Sequence, residues 1–429
     1  MKILVLGSGA REHAIILSLV GENAAHSIIA APGNAGIAGA VPTVDLDPND
    51  PVAVTNFAIA EAIELVIIGP EAPLVAGVAD ELREQGIPVF GPGKAAAQLE
   101  GSKTFAKRIM DIAGVPTGRA SRAATLAEAE AAIDTFGAPY VVKADGLAAG
   151  KGVLVTTDRD AALAHASTYL ELGSVLVEEF LDGQEVSLFF VSDGHTVVPL
   201  SPAQDYKRLG DNDEGPNTGG MGAYSPLPWL DESFGSESAF VAEVLETIAV
   251  PVVRQLAEEQ TPFIGLLYAG LILTSKRDNE SDRGIRVIEF NARFGDPETQ
   301  VVLPRLEFPL SELLYAAATG TLSTIDPPTF APASAVTVVL ASENYPASPV
   351  TGLPISGLEQ ADAVPGVHIA HAATAKQGAD LVSTGGRVLS VVALGDDFTE
   401  ARARAYDALS HILLEGAQFR TDIAARVAD

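Results

Sequence analysis

Short apolar runs recur at regular intervals along the first hundred residues. Ile3–Leu6, Ser27–Ala30, Leu65–Ile68 and Pro88–Phe90 each give way to a loop rich in glycine or proline. Between them, apolar positions at helical spacing mark Glu12–Val20, Pro51–Glu61 and Val75–Gln85. Strand and helix alternating in this way make βαβ units. Residues 1–101 are therefore predicted to form an open parallel, Rossmann-like sheet with its ligands at the strand C-termini.

The rhythm changes in residues 102–190. Helical patterns at Ser102–Ala113, Thr125–Phe136 and Asp160–Glu171 interleave with the runs Tyr140–Asp145, Val153–Thr157, Val175–Phe180 and Glu185–Val191. That mixture predicts a compact α+β unit with an antiparallel sheet. Residues 191–326 hold a polar, glycine-rich stretch (Ser201–Ser225), a helix over Ser236–Glu259, and facing strands at Ile264–Thr274 and Ile285–Asn291. Pro327, Pro328 and Pro332 mark a boundary. Beyond it, runs at Val336–Leu340 and Val388–Leu394 and a helix over Thr399–Glu415 predict a C-terminal α+β cap across 327–429. The whole reads as a multidomain chain of α/β and α+β units.

Composition narrows the function classes. With 47% hydrophobic and 19% charged residues, the 429-residue chain can bury several cores. Its formal charge of −29 argues against nucleic-acid and anionic-membrane partners, both of which need a basic face. The absence of cysteine excludes disulfides, thiolate zinc sites, iron–sulfur clusters and a cysteine nucleophile. No secretory apolar region precedes Arg11 and Glu12, and the uncharged stretch Gln260–Ser275 is too short to span a bilayer. A soluble cytoplasmic protein, working as a monomer, is the expectation. There are nine lysines, and Lys103, Lys143, Lys151 and Lys207 sit beside glycine clusters or polar loops. An anionic substrate would be repelled by so acidic a molecule unless such groups converge.

Gly7-Ser8-Gly9-Ala10-Arg11-Glu12 follows the first strand, as a dinucleotide fingerprint does, but its third glycine is replaced by Glu12. It is either a tight strand-to-helix turn or a phosphate seat at a helix N-terminus. Asp145-Gly146-Leu147-Ala148-Ala149-Gly150-Lys151-Gly152 has neither the spacing nor the Ser/Thr of a P-loop, and a strand pattern follows it. It reads as a glycine-rich flap able to fold over phosphates, or as an ordinary hairpin turn. Lys143, in an apolar strand, points either to solvent or to a phosphate in a cleft. Glu178 to Glu185 reads as strand, turn and strand, either a solvated acidic turn or an edge that meets adenine. In Glu289-Phe290-Asn291-Ala292-Arg293, strand alternation puts the carboxylate, amide and guanidinium on one face. Those groups suit a magnesium ion and a phosphate, or form an exposed polar face, which would give the same alternation.

Together with Gly69-Pro70-Glu71-Ala72-Pro73-Leu74, Leu99-Glu100-Gly101-Ser102-Lys103 and Gly215-Pro216-Asn217-Thr218-Gly219-Gly220-Met221-Gly222, these motifs resemble the ATP-grasp superfamily. Within it they resemble the phosphoribosylamine–glycine ligase family of purine biosynthesis, over nearly the whole chain. The resemblance implies a central ATP-grasp pair of α+β units and a glycyl phosphate intermediate attacked by the amine of 5-phosphoribosylamine. It implies ATP on Lys103, Lys143, Gly146, Gly150, Lys151, Gly152, Glu178, Leu181 and Glu185, with Mg2+ or Mn2+ on Glu289 and Asn291. Arg293 and Lys143 would serve the phosphoryl transfer, and Asp213 would orient an amine. Gly9, Arg11, Asn34, Gly69, Pro70 and Glu71 would cradle the sugar phosphate. Asn217, Thr218, Gly219, Gly220, Met221, Gly222 and Asp296 would complete the substrate site. The strand Leu267–Leu271 carries no second acid for the metal. Another ATP-grasp ligase or carboxylase, an NAD(P)-dependent oxidoreductase and a non-catalytic nucleotide-binding regulator are the alternatives.

Overall fold

The computed structural model describes residues 1–146, 152–275 and 282–428. Strands β1 (Lys2–Gly7), β2 (Ser27–Pro32), β3 (Leu65–Ile68) and β4 (Val89–Phe90) form the parallel sheet that the sequence predicts, in the order β2-β1-β3-β4. Ile3–Leu6 and Leu65–Ile68 are buried throughout, as strands covered on both faces must be. One helix differs from expectation. Val75–Gln85 is broken into Glu71–Ala76 and Val78–Glu84 by Gly77, which adopts φ +95°, a left-handed conformation that a continuous helix cannot contain.

A second sheet, antiparallel and ordered β5-β8-β6-β7, comprises β5 (Ala120–Ala123), β6 (Tyr140–Ala144), β7 (Val153–Thr156) and β8 (Val175–Glu178). The helices Leu126–Phe136 and Arg159–Leu170 cover one face through Ala129, Ile133, Ala162 and Ala166, packed on Val142, Val175 and Val177. Thr125 and Glu128 form a capping box at the first helix, and Asp158 caps the second. The other face is left for the neighbouring unit.

The sheet boundary differs from the sequence reading. Glu185–Val191 does not complete this small sheet. It belongs to β9 (Gly183–Asp193), which pairs along its full length with β15 (Ile264–Thr274), both being buried over most of their length. With β10 (Val197–Pro199), β15 and β16 (Ile285–Asn291) it makes the large sheet β10-β9-β15-β16. Its register places Ser187, Gly270 and Glu289 in one row and Phe189, Tyr268 and Asn291 in the next, so their side chains share a face.

The glycine-rich stretch supplies β11 (Gln204–Asp205), β12 (Arg208–Gly210), β13 (Glu214–Asn217) and β14 (Gly222–Ser225). β12 and β13 form a separate hairpin, whereas β11 and β14 join the C-terminal sheet β11-β14-β17-β22-β19. That sheet contains β17 (Ser334–Ala341), β19 (Val367–His371) and β22 (Arg387–Gly395), with β18 (Pro354–Ile355), β20 (Thr374–Gln377) and β21 (Asp380–Ser383) in a small one beside it. The C-terminal cap is thus stitched into the middle of the chain. Its helix runs Phe398–His411 and stops short of Glu415, because Ile412 turns extended and Leu413 bridges Ser356. The helix expected over Ser236–Glu259 passes through a π-turn at Leu245–Ala249, just before Pro251, whose nitrogen cannot donate. Among the described residues no helix is long and apolar enough to cross a membrane.

Candidate functional site

The open face of the small sheet meets the large sheet through charged side chains. Lys143, on β6, is buried, and its Nζ donates to the Ile288 carbonyl at 3.1 Å and pairs with Glu178 at 3.0 Å. Of the two alternatives, the side chain therefore takes the cleft. Glu178 also faces Lys107 Nζ at 3.4 Å, and Lys107 is fixed by Thr117 Oγ1 and the Gly118 carbonyl, both at 2.9 Å. The Glu178 carboxylate thus organises two cations, a part that its backbone reading did not contain. Leu181 lies over Gly118, where an added Cβ would stand 3.4 Å from its Cδ1.

The base of the glycine-rich turn is pinned by Asp145. Its carboxylate accepts from Ser102 Oγ (3.0 Å), Thr104 Oγ1 (2.6 Å) and Ser174 Oγ (3.1 Å). Lys103 Nζ donates to the Gly146 carbonyl at 3.3 Å, and Ala144 N donates to Gly152 O at 2.7 Å. Gly150 and Lys151 lie outside the described residues. Burial lowers the affinity of Lys103 and Lys107 for their protons, against the pull of Glu289 and Glu178 respectively.

Opposite this cluster, Glu289 and Asn291 project from β16. Among the described residues, neither side chain has a hydrogen bond or close ion pair. Burial pushes the Glu289 carboxyl up, but Lys207, Lys143, Lys103 and Arg293 together outweigh it and hold the group below its ordinary value. An ionised carboxylate and an amide oxygen, adjacent on one face and otherwise unengaged, are hard oxygen donors suited to a divalent cation that keeps water and phosphate ligands. The residues fit the metal implied by the sequence. Glu185, expected near a ribose, pairs with Lys207 Nζ at 2.6 Å. Beside them Tyr268 OH meets Glu298 Oε1 at 2.7 Å and Ser187 Oγ at 2.8 Å. Burial is the main force raising the Asp205 carboxyl, to about 8, despite Lys207.

Arg293 does not continue the strand alternation. β16 ends at Asn291, and Ala292 N turns to donate to Glu100 Oε2 at 2.8 Å. Arg293 is then held between Glu71 (3.1 Å) and Glu100 (3.0 Å), with Nη1 on the Phe294 carbonyl at 3.1 Å. Arg11 shares that carbonyl at 3.3 Å and pairs with Glu12 at 2.6 Å. Glu12 in turn accepts from Gly9 N at 2.6 Å. It fills the first loop so closely that a Cβ on Gly69 would lie 2.0 Å from its Oε1. The turn beside Pro70 is therefore braced by a carboxylate where a dinucleotide fold has a glycine. Asn34 is occupied as well. Its Nδ2 donates to the Ser8 and His371 carbonyls at 2.8 and 2.7 Å, and its Oδ1 caps Gly36 and Ile37.

The glycines of Asn217–Gly222 follow from packing. A Cβ on Gly220, at φ +107°, would stand 2.4 Å from Pro297 Cδ, and one on Gly222 would stand 2.6 Å from the Thr337 carbonyl. Thr218 Oγ1 donates to Lys207 O at 2.9 Å, and buried Met221 donates to Tyr206 O. Arg387 clamps this loop to the Arg293 segment, donating to Gly219 O (2.5 Å), Asp296 O (2.8 Å) and Asp296 Oδ2 (3.0 Å). Asp213 is not brought into this cluster. Its carboxylate, 58% exposed, accepts from Arg420 at 2.7 Å. The sequence reading missed Glu100, Lys107, Asp205, Tyr268, Glu298 and Arg387 and gave Lys207 no role. Their signal is long-range convergence, which no local spacing encodes.

Three family models match in order. They are the phosphoribosylglycinamide synthetase N domain over residues 1–100, its ATP-grasp (A) domain over 101–299 and its C domain over 335–426. The phosphoribosylamine–glycine ligase of Leifsonia xyli is 73% identical, covering 99% of this chain and 100% of that one. That of Streptomyces coelicolor is 57% identical, with both chains covered completely. Among solved structures, the phosphoribosylamine–glycine ligase of Thermotoga maritima is 32% identical with a TM-score of 0.82, covering 98% of this chain and 100% of that one. With its three domains in the same order and its charged cleft between the two central sheets, the chain belongs to the phosphoribosylglycinamide synthetase family, whose central domain is an ATP-grasp.

Proposed function

We propose that this chain ligates glycine to 5-phosphoribosylamine with cleavage of ATP to ADP and phosphate, the carboxylate of glycine and not water taking the γ-phosphoryl group. A carboxylate is a poor electrophile. A glycine carboxylate oxygen attacks the γ-phosphorus, the bond from that phosphorus to the β–γ bridging oxygen breaks, and ADP leaves. The amine of 5-phosphoribosylamine then attacks the glycyl phosphate carbonyl, loses a proton and expels phosphate, leaving glycinamide ribonucleotide.

The residues divide this work by position. Lys143 and Lys103 neutralise ATP phosphates, and Gly146, Gly150, Lys151 and Gly152 are assigned to the same phosphates. Glu178 and Leu181 border the adenine, and Glu185 the ribose. Glu289 and Asn291 would hold Mg2+ or Mn2+, which shields the phosphate charge when bound. Gly9, Arg11, Gly69 and Pro70 face the sugar phosphate, while Arg387, through Gly219 and Asp296, aligns the loop Asn217–Gly222 with the reacting atoms. Asp213, held by Arg420 outside this cluster, is given no part in the reaction. Preorganised cations stabilise the charge that builds on phosphorus, and proximity supplies much of the remaining acceleration.

The observation that carries this reading is the Glu289–Asn291 pair, whose side chains have no hydrogen bond or close ion pair among the described residues while Lys207, Lys143 and Lys103 surround the carboxylate. Glycine labelled with heavy oxygen in its carboxylate tests it. One labelled oxygen per turnover should pass into inorganic phosphate, and ADP release should require both glycine and freshly generated phosphoribosylamine. Unlabelled phosphate released in step with product formation would defeat the mechanism.

A further inference from the structure

The hairpin β12–β13 ends in a tip with two successive left-handed residues. Asn212 and Asp213 are consecutive non-glycine residues with φ +58° and +57°. Asn and Asp enter this region more readily than other side-chain-bearing residues, as single residues, and two in succession are secured by their surroundings. Here the surroundings are the segment that follows the helix Phe398–His411. Arg420 enters from that segment with its side chain 1% exposed. Its Nη1 donates to Asp213 Oδ1 at 2.7 Å and to the Arg208 carbonyl at 3.3 Å. Its Nε and Nη2 grip Asp422 at 2.7 and 2.6 Å, and its guanidinium lies 4.6 Å from the Tyr206 ring centroid.

Neighbouring contacts close the same clasp. Thr421 N donates to Asp211 Oδ1 at 2.8 Å, Asn212 N to Asp422 Oδ2 at 2.9 Å, and Ala424 N to Tyr206 OH at 2.9 Å. A buried guanidinium needs its charge matched, and the tip supplies one of the two carboxylates that match it. The same residue therefore fixes the first strand of the hairpin through Arg208 O and the tip through Asp213.

We propose that Arg420 is a positioning residue that, by gripping Asp213 at the tip, holds the β12–β13 hairpin in register and presents Asn217 to the amine substrate. The inference rests on the assignment of that loop to substrate recognition. Arg420 contacts Arg208, Asp213, Asp422 and Tyr206 and none of Lys103, Lys143, Glu289 or Asn291, so its effect falls on the acceptor side. Lysine is not an equivalent replacement, because one ammonium cannot grip Asp422, Asp213 and a carbonyl in a planar fork.

Arg420→Lys, with Asp422→Asn as a milder companion, should raise KM for phosphoribosylamine about tenfold while kcat falls much less and ATP affinity stays unchanged. Amide hydrogen exchange should accelerate across 208–217 and remain unaltered in Val336–Val339. Unchanged KM and unchanged exchange in both variants would overturn the proposal. So would a uniform loss of ATP affinity, kcat and melting temperature, which marks a general structural role. Asn217→Ala separates the two layers. If it leaves KM for phosphoribosylamine unaltered, the loop assignment fails, and the proposal fails with it. If it raises KM while the Arg420 and Asp422 variants do not, the clasp alone is refuted.

Discussion

Two neighbouring stretches of chain treat charge in opposite ways. Glu289 and Asn291, at the end of β16, have no hydrogen-bond or ion-pair partner among the described residues, and distant lysines hold Glu289 ionised. Two residues on, Arg293 has Glu71, Glu100 and the Phe294 carbonyl all within 3.1 Å. The first arrangement keeps donors available for a ligand. The second has completed its network and fixes the relation between the N-terminal unit and the end of β16. Proximity in sequence thus says little about whether a charged group serves chemistry or architecture, and the density of partners says more.

The widest separation of the two should come from Glu289→Gln. We expect turnover to fall about 10³-fold, on the scale seen when a stabilising group is removed from a developing charge. The midpoint of urea unfolding should hardly move. Magnesium titration of the variant should show a raised requirement. Activity lost only in proportion to stability would erase the contrast.

Glu100→Ala probes the other side. It leaves the buried Arg293 with one carboxylate fewer and strands the Ala292 N–H, so stability should fall by about 3 kcal/mol. Urea unfolding measures this. A change confined to kinetic parameters would place Arg293 with the ligand-facing groups instead.

A third test uses the interface where charge is excluded. His13 accepts from His371 N at 2.8 Å, and burial, followed by the nearby His371 and His368, lowers its pKa to about 3. Burial lowers His368 and His371 to about 4. The unfolded chain therefore takes up protons below pH 6.5 that the folded chain refuses. Stability contributed by His13 is complete above 6.5 and is lost as pH falls towards 3, with a slope of about 1.4 kcal/mol per pH unit. His13→Gln should flatten unfolding curves measured between pH 6.5 and 4. An unchanged slope would show that His13 does not resist protonation in the folded protein.

The smallest effect is expected at the exposed pair of Arg108 with Glu259, although both hydrogen bonds are short, at 2.7 and 2.8 Å. Solvent screens it, so Arg108→Ala should cost under about 1 kcal/mol. A larger loss in urea unfolding would mean that close geometry alone makes a pair structural here, and the contrast drawn from Glu289 and Arg293 would need burial removed from it.

Much of the architecture was present in the order of residues. The buried runs Ile3–Leu6 and Leu65–Ile68 need cover on both faces, so the parallel sheet follows from hydrophobic pattern alone. Strand alternation put Glu289 and Asn291 on one face, and the motifs of the glycine-rich loops carried the family. Tertiary structure decided the rest. It moved Gly183–Asp193 into the large sheet by pairing it with Ile264–Thr274, because two buried apolar strands match each other better than either matches the small sheet. It ended β16 at Asn291 and swung Arg293 onto Glu71 and Glu100, which lie about two hundred residues earlier. It also brought Arg420 to Asp213 and Arg387 to Gly219. Local pattern reports which face a side chain takes, whereas the partner it finds there depends on chain closure over long distances. Burial makes that partner matter, since a charge removed from water must be matched by whatever the fold delivers.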